Sequence, residues 1–176
     1  NPSSIWYSDL DGDGDGDPAT GVTQCDNPGG AVLNADDCVD TDATQHATAV
    51  WYRDDDGDGY GLASDHLTQC FEPAGYVAVD GDCNDGDSAI NPTTTWYADN
   101  DNDGYGDPVN ATTVCEAPQN YVLDNTDCDD TDGAVHPTSE WHLDADGDGE
   151  GTSSSVVVQC TRPSAVYVLD SGDCDD

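Results

Sequence analysis

The chain has 176 residues, with 39 Asp plus Glu against 2 Lys plus Arg and a formal net charge of −37 at pH 7. That balance excludes nucleic acid and anionic membranes as partners, since both are held through basic patches, and it makes a compact ion-free chain repel itself. Met is absent, Phe71 is the single Phe, and 19 Gly leave a core too thin for an ordinary domain of this length, so cations and cross-links are expected to replace it.

In chain order, a Ser/Thr/Pro linker (Pro2 to Ser4) leads into the aromatic pair Trp6-Tyr7, and an Asp/Gly loop runs from Asp9. A β-prone stretch then ends at Cys25, a turn follows at Pro28, and a second acidic cluster surrounds Cys38. The pattern then starts again. Trp6, Trp51, Trp96 and Trp141 stand 45 residues apart, and so do Cys25, Cys70, Cys115 and Cys160. Cys38, Cys83 and Cys128 keep the step, while Cys174 lags by one residue, which places an insertion in the last unit. Four markers in register identify a tandem array. Its expected units are 1–45, 46–90, 91–135 and 136–176, the last incomplete.

No segment of ten or more residues shows helical apolar spacing. The stretches before each Cys and after each Pro, such as Val156-Val157-Val158 and Tyr121-Val122-Leu123, are rich in strand formers. The expected fold is a small, irregular, β-rich tandem repeat array without substantial helix, elongated and held by calcium and disulfides. Each unit would carry two or three short strands that could not stand alone in water.

The strongest chemical signal is Asp-x-Asp-x-Asp-Gly-x-Gly, present four times. Its acidic positions are Asp9, Asp11, Asp13; Asp54, Asp56, Asp58; Asp99, Asp101, Asp103; and Asp144, Asp146, Asp148. Calcium takes about six to eight hard oxygen ligands in a flexible shell. Alternating Asp in a tight coil aims three carboxylates at one point, and Gly14, Gly59, Gly104 or Gly149 permits the turn that brings round a carbonyl. That carbonyl would belong to Asp15, Tyr60, Tyr105 or Glu150, whose differing side chains suit a backbone ligand. The loop matches the first half of an EF-hand and then departs from it. The twelfth position holds Thr20, Asp65, Asn110 or Ser155, not the bidentate Glu.

The missing ligands are expected from the second cluster, Asp-Cys-x-Asp-x-Asp. It supplies Asp37, Asp40, Asp42; Asp82, Asp85, Asp87; Asp127, Asp130, Asp132; and Asp173 with Asp176. Both clusters would share one or two Ca2+ per repeat. Magnesium fits less well, because it keeps more of its water.

Two Cys per unit, 13 residues apart in three units and 14 in the fourth, point to an oxidising compartment. The preferred pairing is within each unit: Cys25–Cys38, Cys70–Cys83, Cys115–Cys128 and Cys160–Cys174. Closing such a loop contributes about 3 kcal/mol. The alternative joins successive units, for instance Cys38 to Cys70. No closely spaced Cys pair suggests zinc.

Each Trp is expected to nucleate its unit's small apolar centre, the alternative being a carbohydrate platform of exposed rings. His46, His66, His136 and His142 are not kept across the repeats, so a solvated or hydrogen-bonded role is expected before a metal-ligating one. Asn110-Ala111-Thr112 is the single N-glycosylation sequon. No nucleophile–base pair stands outside the repeat, and an enzyme is not expected.

The second unit, WYRDDDGDGYG followed by QCFEPAGYVAVDGDCNDGDSAINP, and the third, WYADNDNDGYGDP followed by VCEAPQNYVLDNTDCDDTDGAVHP, resemble the MopE-type metal-binding repeat. The resemblance covers all four units. It implies a metal-binding repeat of large bacterial surface or secreted proteins, with the Asp positions above as calcium ligands. The family takes its name from a member implicated in copper binding, an implication the varying histidines here do not carry over. The Asp-rich loops are also similar, more distantly, to thrombospondin type 3 repeats.

Together these features lead to the expectation of an extracellular or cell-surface stalk or fibre segment, rigidified by calcium and disulfides. A copper-scavenging surface protein and the spacer of an adhesin are the alternatives. Expected partners are neighbouring repeats or copies of the chain head to tail, with glycans on Asn110 or as ligands, and no membrane insertion by this segment. The non-Met start and the early stop of the fourth unit suggest a longer or processed parent.

Overall fold

The computed structural model describes residues 3–174. The chain divides into two compact units, Asn1–Pro92 and Thr93–Asp176, each holding two repeats. Among the described residues each repeat forms one small three-stranded antiparallel sheet. Among the described residues the single helical element is a 3-10 turn at Pro18–Thr20.

In the first unit β1 (Ser4–Ser8) lies between β2 (Val22–Gln24) and β3 (Ala31–Val32), and β4 (Val50–Arg53) lies between β5 (Leu62–Thr68) and β6 (Tyr76–Val77). The second unit repeats the plan. There β7 (Thr95–Ala98) lies between β8 (Ala111–Thr113) and β9 (Tyr121–Val122), and β10 (Glu140–Leu143) lies between β11 (Thr152–Val158) and β12 (Tyr167–Val168). The Trp strand is central in every sheet. On one side it pairs with the strand that ends near the first Cys, along its whole length in the second and fourth repeats, and on the other its second half pairs with the two-residue strand beyond the Pro turn. The Asp/Gly loop is the connection that leaves the central strand.

The core is as small as the composition requires. Trp51, Trp96, Trp141, Ala49 and Ala98 are its buried apolar members, and as many aspartates are buried: Asp37, Asp82, Asp99, Asp127 and Asp144. A fold that buries carboxylates as often as apolar side chains is not held by the hydrophobic effect alone. The Trp rings are packed, not displayed as a platform, in the second to fourth repeats. Trp51, Trp96 and Trp141 each donate their indole N–H to the carbonyl of Gln69, Val114 and Gln159, at 2.8, 2.9 and 2.8 Å.

The repeats are not all alike. In the first and third, Asp17-Pro18 and Asp107-Pro108 follow the Asp/Gly loop, and Pro cannot donate to a ladder. Asp17 and Asp107 turn back to donate from their N–H groups to Ser8 and Ala98, and the second strand is cut to three residues. In the second and fourth, Leu62 and Thr152 stand in place of that Asp, and the second strand runs for seven residues. The array thus alternates with a period of two repeats.

One contact recurs throughout. Gly16, Gly61, Gly106 and Gly151 lie against the central strand so closely that an added Cβ would sit 2.5, 2.5, 2.6 and 2.5 Å from the Cβ of Tyr7, Tyr52, Tyr97 and His142. At Gly61 the carbonyl carbon of Tyr52 would also be 2.8 Å away. Gly61→Ala is therefore expected to cost about 1–3 kcal/mol by overpacking. Urea denaturation measures it, and a midpoint unchanged from the parent chain would show that the contact is loose.

Candidate metal centre

The loop is built by its own carboxylates. In the second repeat Asp54 accepts from the N–H of Gly57 at 2.7 Å and of Gly59 at 3.2 Å. Asp56 accepts from Asp58 N–H at 3.2 Å, and Asp58 from Tyr60 N–H at 2.9 Å. The same relay joins Asp144, Asp146 and Asp148 to Gly147, Gly149 and Glu150 in the fourth repeat. The chain makes two left-handed turns to permit it. Gly59 has φ 92°, as expected of the sixth position. The fourth position is also left-handed, with Gly12 at 80°, Gly57 at 80°, Asn102 at 64° and Gly147 at 85°. Sequence reasoning missed this second turn, although Gly, Gly, Asn, Gly at one place in four repeats is its signature.

These turns bring one oxygen from each loop Asp within 4.8 Å of the others, for Asp9–Asp11–Asp13, Asp54–Asp56–Asp58, Asp99–Asp101–Asp103 and Asp144–Asp146–Asp148. The second cluster supplies a fourth carboxylate. Asp37, Asp82 and Asp127 are buried to 4, 9 and 8 % exposure. Their N–H groups donate to Gly16, Gly61 and Gly106, which docks them against the loop. In each of the first three repeats the same trio has a buried oxygen without a hydrogen-bond partner. These are the Oδ2 atoms of Asp11, Asp13 and Asp37; of Asp56, Asp58 and Asp82; and of Asp101, Asp103 and Asp127.

The electrostatics agree. Burial, and then the charges of Asp11, Asp13 and Asp40, raise the pKa of Asp37. Asp56 is raised by burial and then by Asp58, Asp82 and Asp54. Asp101 is raised by burial and then by Asp103, Asp127 and Asp99. In each of these repeats a carboxylate of one cluster feels the charge of the other, in line with the docking of Asp37, Asp82 and Asp127 against the loop.

The other second-cluster residues are placed differently. Asp40, Asp85 and Asp130 reach across to accept from the backbone N–H of Leu10, Asp55 and Asn100 at 2.8, 2.7 and 2.7 Å, clasping the loop's second residue. Asp42 turns away to Thr44 and Gln45, and the hydroxyl of Thr44, its largest influence, lowers its pKa. Asp87 and Asp132 accept from the N–H of Ala89 and Ala134. Gly133, next to Asp132, still lies near the third loop, where an added Cβ would stand 3.7 Å from Asp101 Oδ1. Asp173 donates its N–H to Gly151 at 3.4 Å, and Asp176 lies outside the described residues. The N–H groups of Asp15, Tyr60, Tyr105 and Glu150 donate to the preceding loop Asp. Asn110 is exposed on the short turn before β8.

The histidines differ from one another. His46 Nδ1 is 3.3 Å from Asp15 Oδ2 and 2.9 Å from Thr48 Oγ1, and with Asp13 and Asp15 it forms a further group of ligand type. The corresponding third-repeat residue, His136, instead stacks on Tyr105 at 5.2 Å. His66 faces Ala63 O, and His142 is buried with Nδ1 3.3 Å from Thr152 O.

The disulfides overturn the pairing within units. Cys38 bonds Cys70 and Cys128 bonds Cys160, each across 32 residues. Cys83 and Cys115 are disulfide-bonded as well, while Cys25 and Cys174 are free and exposed. Cys25–Cys38, Cys70–Cys83, Cys115–Cys128 and Cys160–Cys174 are therefore all excluded. The physical reason is topological. Strands β2, β5, β8 and β11 carry the first Cys to the end of the sheet where the Trp strand enters, and the second Cys lies past the metal loop. One signal was present in the sequence: the separation of 32 between successive repeats is constant, whereas the separation within a repeat drifts from 13 to 14.

Against known protein families, curated proteins and solved structures, the chain matches none. Among the described residues no helix is long and apolar enough to cross a membrane. The loop donor set fits a hard cation: all oxygen, three carboxylates, and a spread of up to 4.8 Å, about twice a calcium–oxygen distance.

Proposed function

We propose that the chain is a structural calcium-binding repeat segment of an extracellular stalk or fibre, in which Ca2+ neutralises each carboxylate nest and so stiffens the array. One observation carries this reading. A trio of buried carboxylate oxygens without hydrogen-bond partners recurs at the same three positions in three successive repeats. A solvated acidic surface would leave such oxygens to water, whereas buried, mutually repelling oxygens call for a cation. The ligands of each site would be the three loop Asp and the Asp before the second Cys, with Asp40, Asp85 and Asp130 holding the loop in shape. A site of this kind falls in the weak modular class, filled at the millimolar calcium outside cells. The disulfides suit the same oxidising surroundings. The MopE-type resemblance points the same way.

The test is a count of bound ions. Asp82→Asn is expected to remove about one Ca2+ per chain or to weaken one site at least tenfold, as read by calorimetry and elemental analysis of the dialysed protein. Unchanged stoichiometry and affinity would remove Asp82 from the ligand set and leave the loop Asp alone. Copper scavenging, the alternative, has one observation in its favour, the Asp13–Asp15–His46 group. It is not repeated: Tyr60 with Asn91, and Tyr105 with His136, stand in its place. Copper bound more tightly than calcium at several sites per chain would favour that reading.

A further inference from the structure

In the first and third repeats the fourth carboxylate stands one residue before a bridge into the next repeat. Asp37 precedes Cys38, which bonds Cys70, and Asp127 precedes Cys128, which bonds Cys160. Beyond each bridge lies the residue that holds the next Trp. The carbonyls of Gln69 and Gln159 accept the indole N–H of Trp51 and Trp141. Their own N–H groups donate to the carbonyls of Ala49 and Ser139, at 3.0 and 3.1 Å, and both of these residues are buried at the entrance to β4 and β10. Each of these strands is four residues long, roughly 13 Å of extended chain. It runs directly into the first loop carboxylate of its repeat, Asp54 or Asp144.

A hydrogen-bonded route runs beside the covalent one. Asp37 pairs with His46 in an antiparallel bridge, Ala47 N–H donates to Asp36 O at 2.8 Å, and Ala49 N–H donates to His46 O at 3.0 Å. In the second unit Tyr105, whose N–H donates to the loop carboxylate of Asp103, stacks on His136. His136 N–H then donates to Ser139 Oγ at 2.6 Å, and Ser139 N–H donates to His136 O at 3.0 Å. The first repeat supplies an internal comparison. Its Cys25 is a free thiol, Trp6 is only half-buried, and the Trp6 Nε1 is buried without a partner, although Gln24 occupies the place of Gln69. A seated and an unseated Trp strand are thus present in one chain, and the seated form goes with the bridge.

We infer that the calcium sites are coupled in pairs, first with second and third with fourth: an ion bound in one repeat seats the Trp strand of the next and so raises the affinity of the next loop. The inference rests on the calcium reading. Each pair lies within one compact unit. An ion that fixes Asp37 fixes Cys38 and, through Cys70 and Gln69, the start of β4. The second ion then meets a loop that is already ordered and loses less conformational entropy on binding. Coupling between binding sites is reciprocal, so each ion of a pair tightens the other. A pair then passes from empty to full over a narrow range of calcium, and its two repeats stiffen together.

The test is a Ca2+ titration of the disulfide-intact 176-residue chain. The amide resonances of Gly12 and Gly14 report the first site, and those of Gly57 and Gly59 the second. Both sets are expected to move together, more steeply than independent binding allows. Asp11→Ala, which disables the first site, is expected to raise the calcium midpoint at Gly57 and Gly59 at least about fivefold. Trp51→Phe cuts the route without altering any charge, and in its background the effect of Asp11→Ala on the second site should shrink below about twofold. The paired substitution Cys38→Ser with Cys70→Ser cuts the same route independently, and an intact spectrum at saturating calcium shows that each variant is folded. An effect that survives both cuts unchanged belongs to through-space charge and overturns the proposal. Independent filling in the parent chain, with Asp11→Ala felt only at Gly12 and Gly14, also overturns it and leaves the calcium reading intact. A flat response at millimolar Ca2+ would remove the calcium reading and the coupling together.

Discussion

Removal of divalent cations from the disulfide-intact chain with EGTA is expected to lower its melting temperature sharply at pH 7 and to loosen the packing of Trp51, Trp96 and Trp141. Three loop carboxylates lie within 4.8 Å of one another in every repeat, and the buried Asp37, Asp82 and Asp127 add a fourth charge in the first three. Only a small apolar core opposes that repulsion. Returning calcium should restore the tryptophan spectrum saturably at about 10⁻⁴–10⁻³ M. The pH dependence supplies a signed test. Asp37, Asp56 and Asp101 have raised pKa values, each chiefly through burial and then through neighbouring carboxylates. The ion-free fold then binds protons more tightly than the unfolded chain, so its stability rises as pH falls from neutral toward their range. In calcium the sign reverses, because protons displace the ion and stability falls over the same window. Melting curves between about pH 4 and pH 7, with and without calcium, measure both slopes. Equal melting temperatures in EGTA and calcium at pH 7 would refute the structural role of the ion.

The second large effect concerns the bridge between repeats. Replacing Cys38 and Cys70 together by Ser should cost roughly 3–4 kcal/mol, the chain-entropy value for a loop of this length. The loss should appear in amide exchange of β4 and β5, because Cys70 follows directly on the Gln69 carbonyl that holds the Trp51 indole. The double substitution also isolates the bridge from any stray thiol. A loss below about 1 kcal/mol would mean that ordinary packing carries the joint and the disulfide only records it.

Much of this was legible in the sequence because the chain repeats itself. One loop of Asp and Gly is ambiguous, but four in register mark the carboxylates that converge, and the lack of helical spacing marks the near absence of helix; that the Trp segment is itself the central strand was not read. The fourth buried carboxylate was legible only as a cluster. That Asp37 turns inward while Asp42 turns to Thr44 depends on turns that residue identity does not specify. The alternation of short and long second strands was written in Asp17-Pro18 and Asp107-Pro108 and was overlooked because averaging four units hides it. The disulfide partners were hidden for a different reason. Proximity along the chain favoured pairing across 13 residues, whereas the sheets carry the two cysteines of a repeat toward opposite neighbours.

The alternation also bears on how such a chain could grow. The Asp-Pro steps at Asp17-Pro18 and Asp107-Pro108 stand 90 residues apart, which is two repeats. A gene gaining or losing one repeat would give two successive repeats second strands of the same length. Duplication of a pair keeps every junction in phase. The heritable module is then the doublet, and variants of natural length should differ by whole doublets.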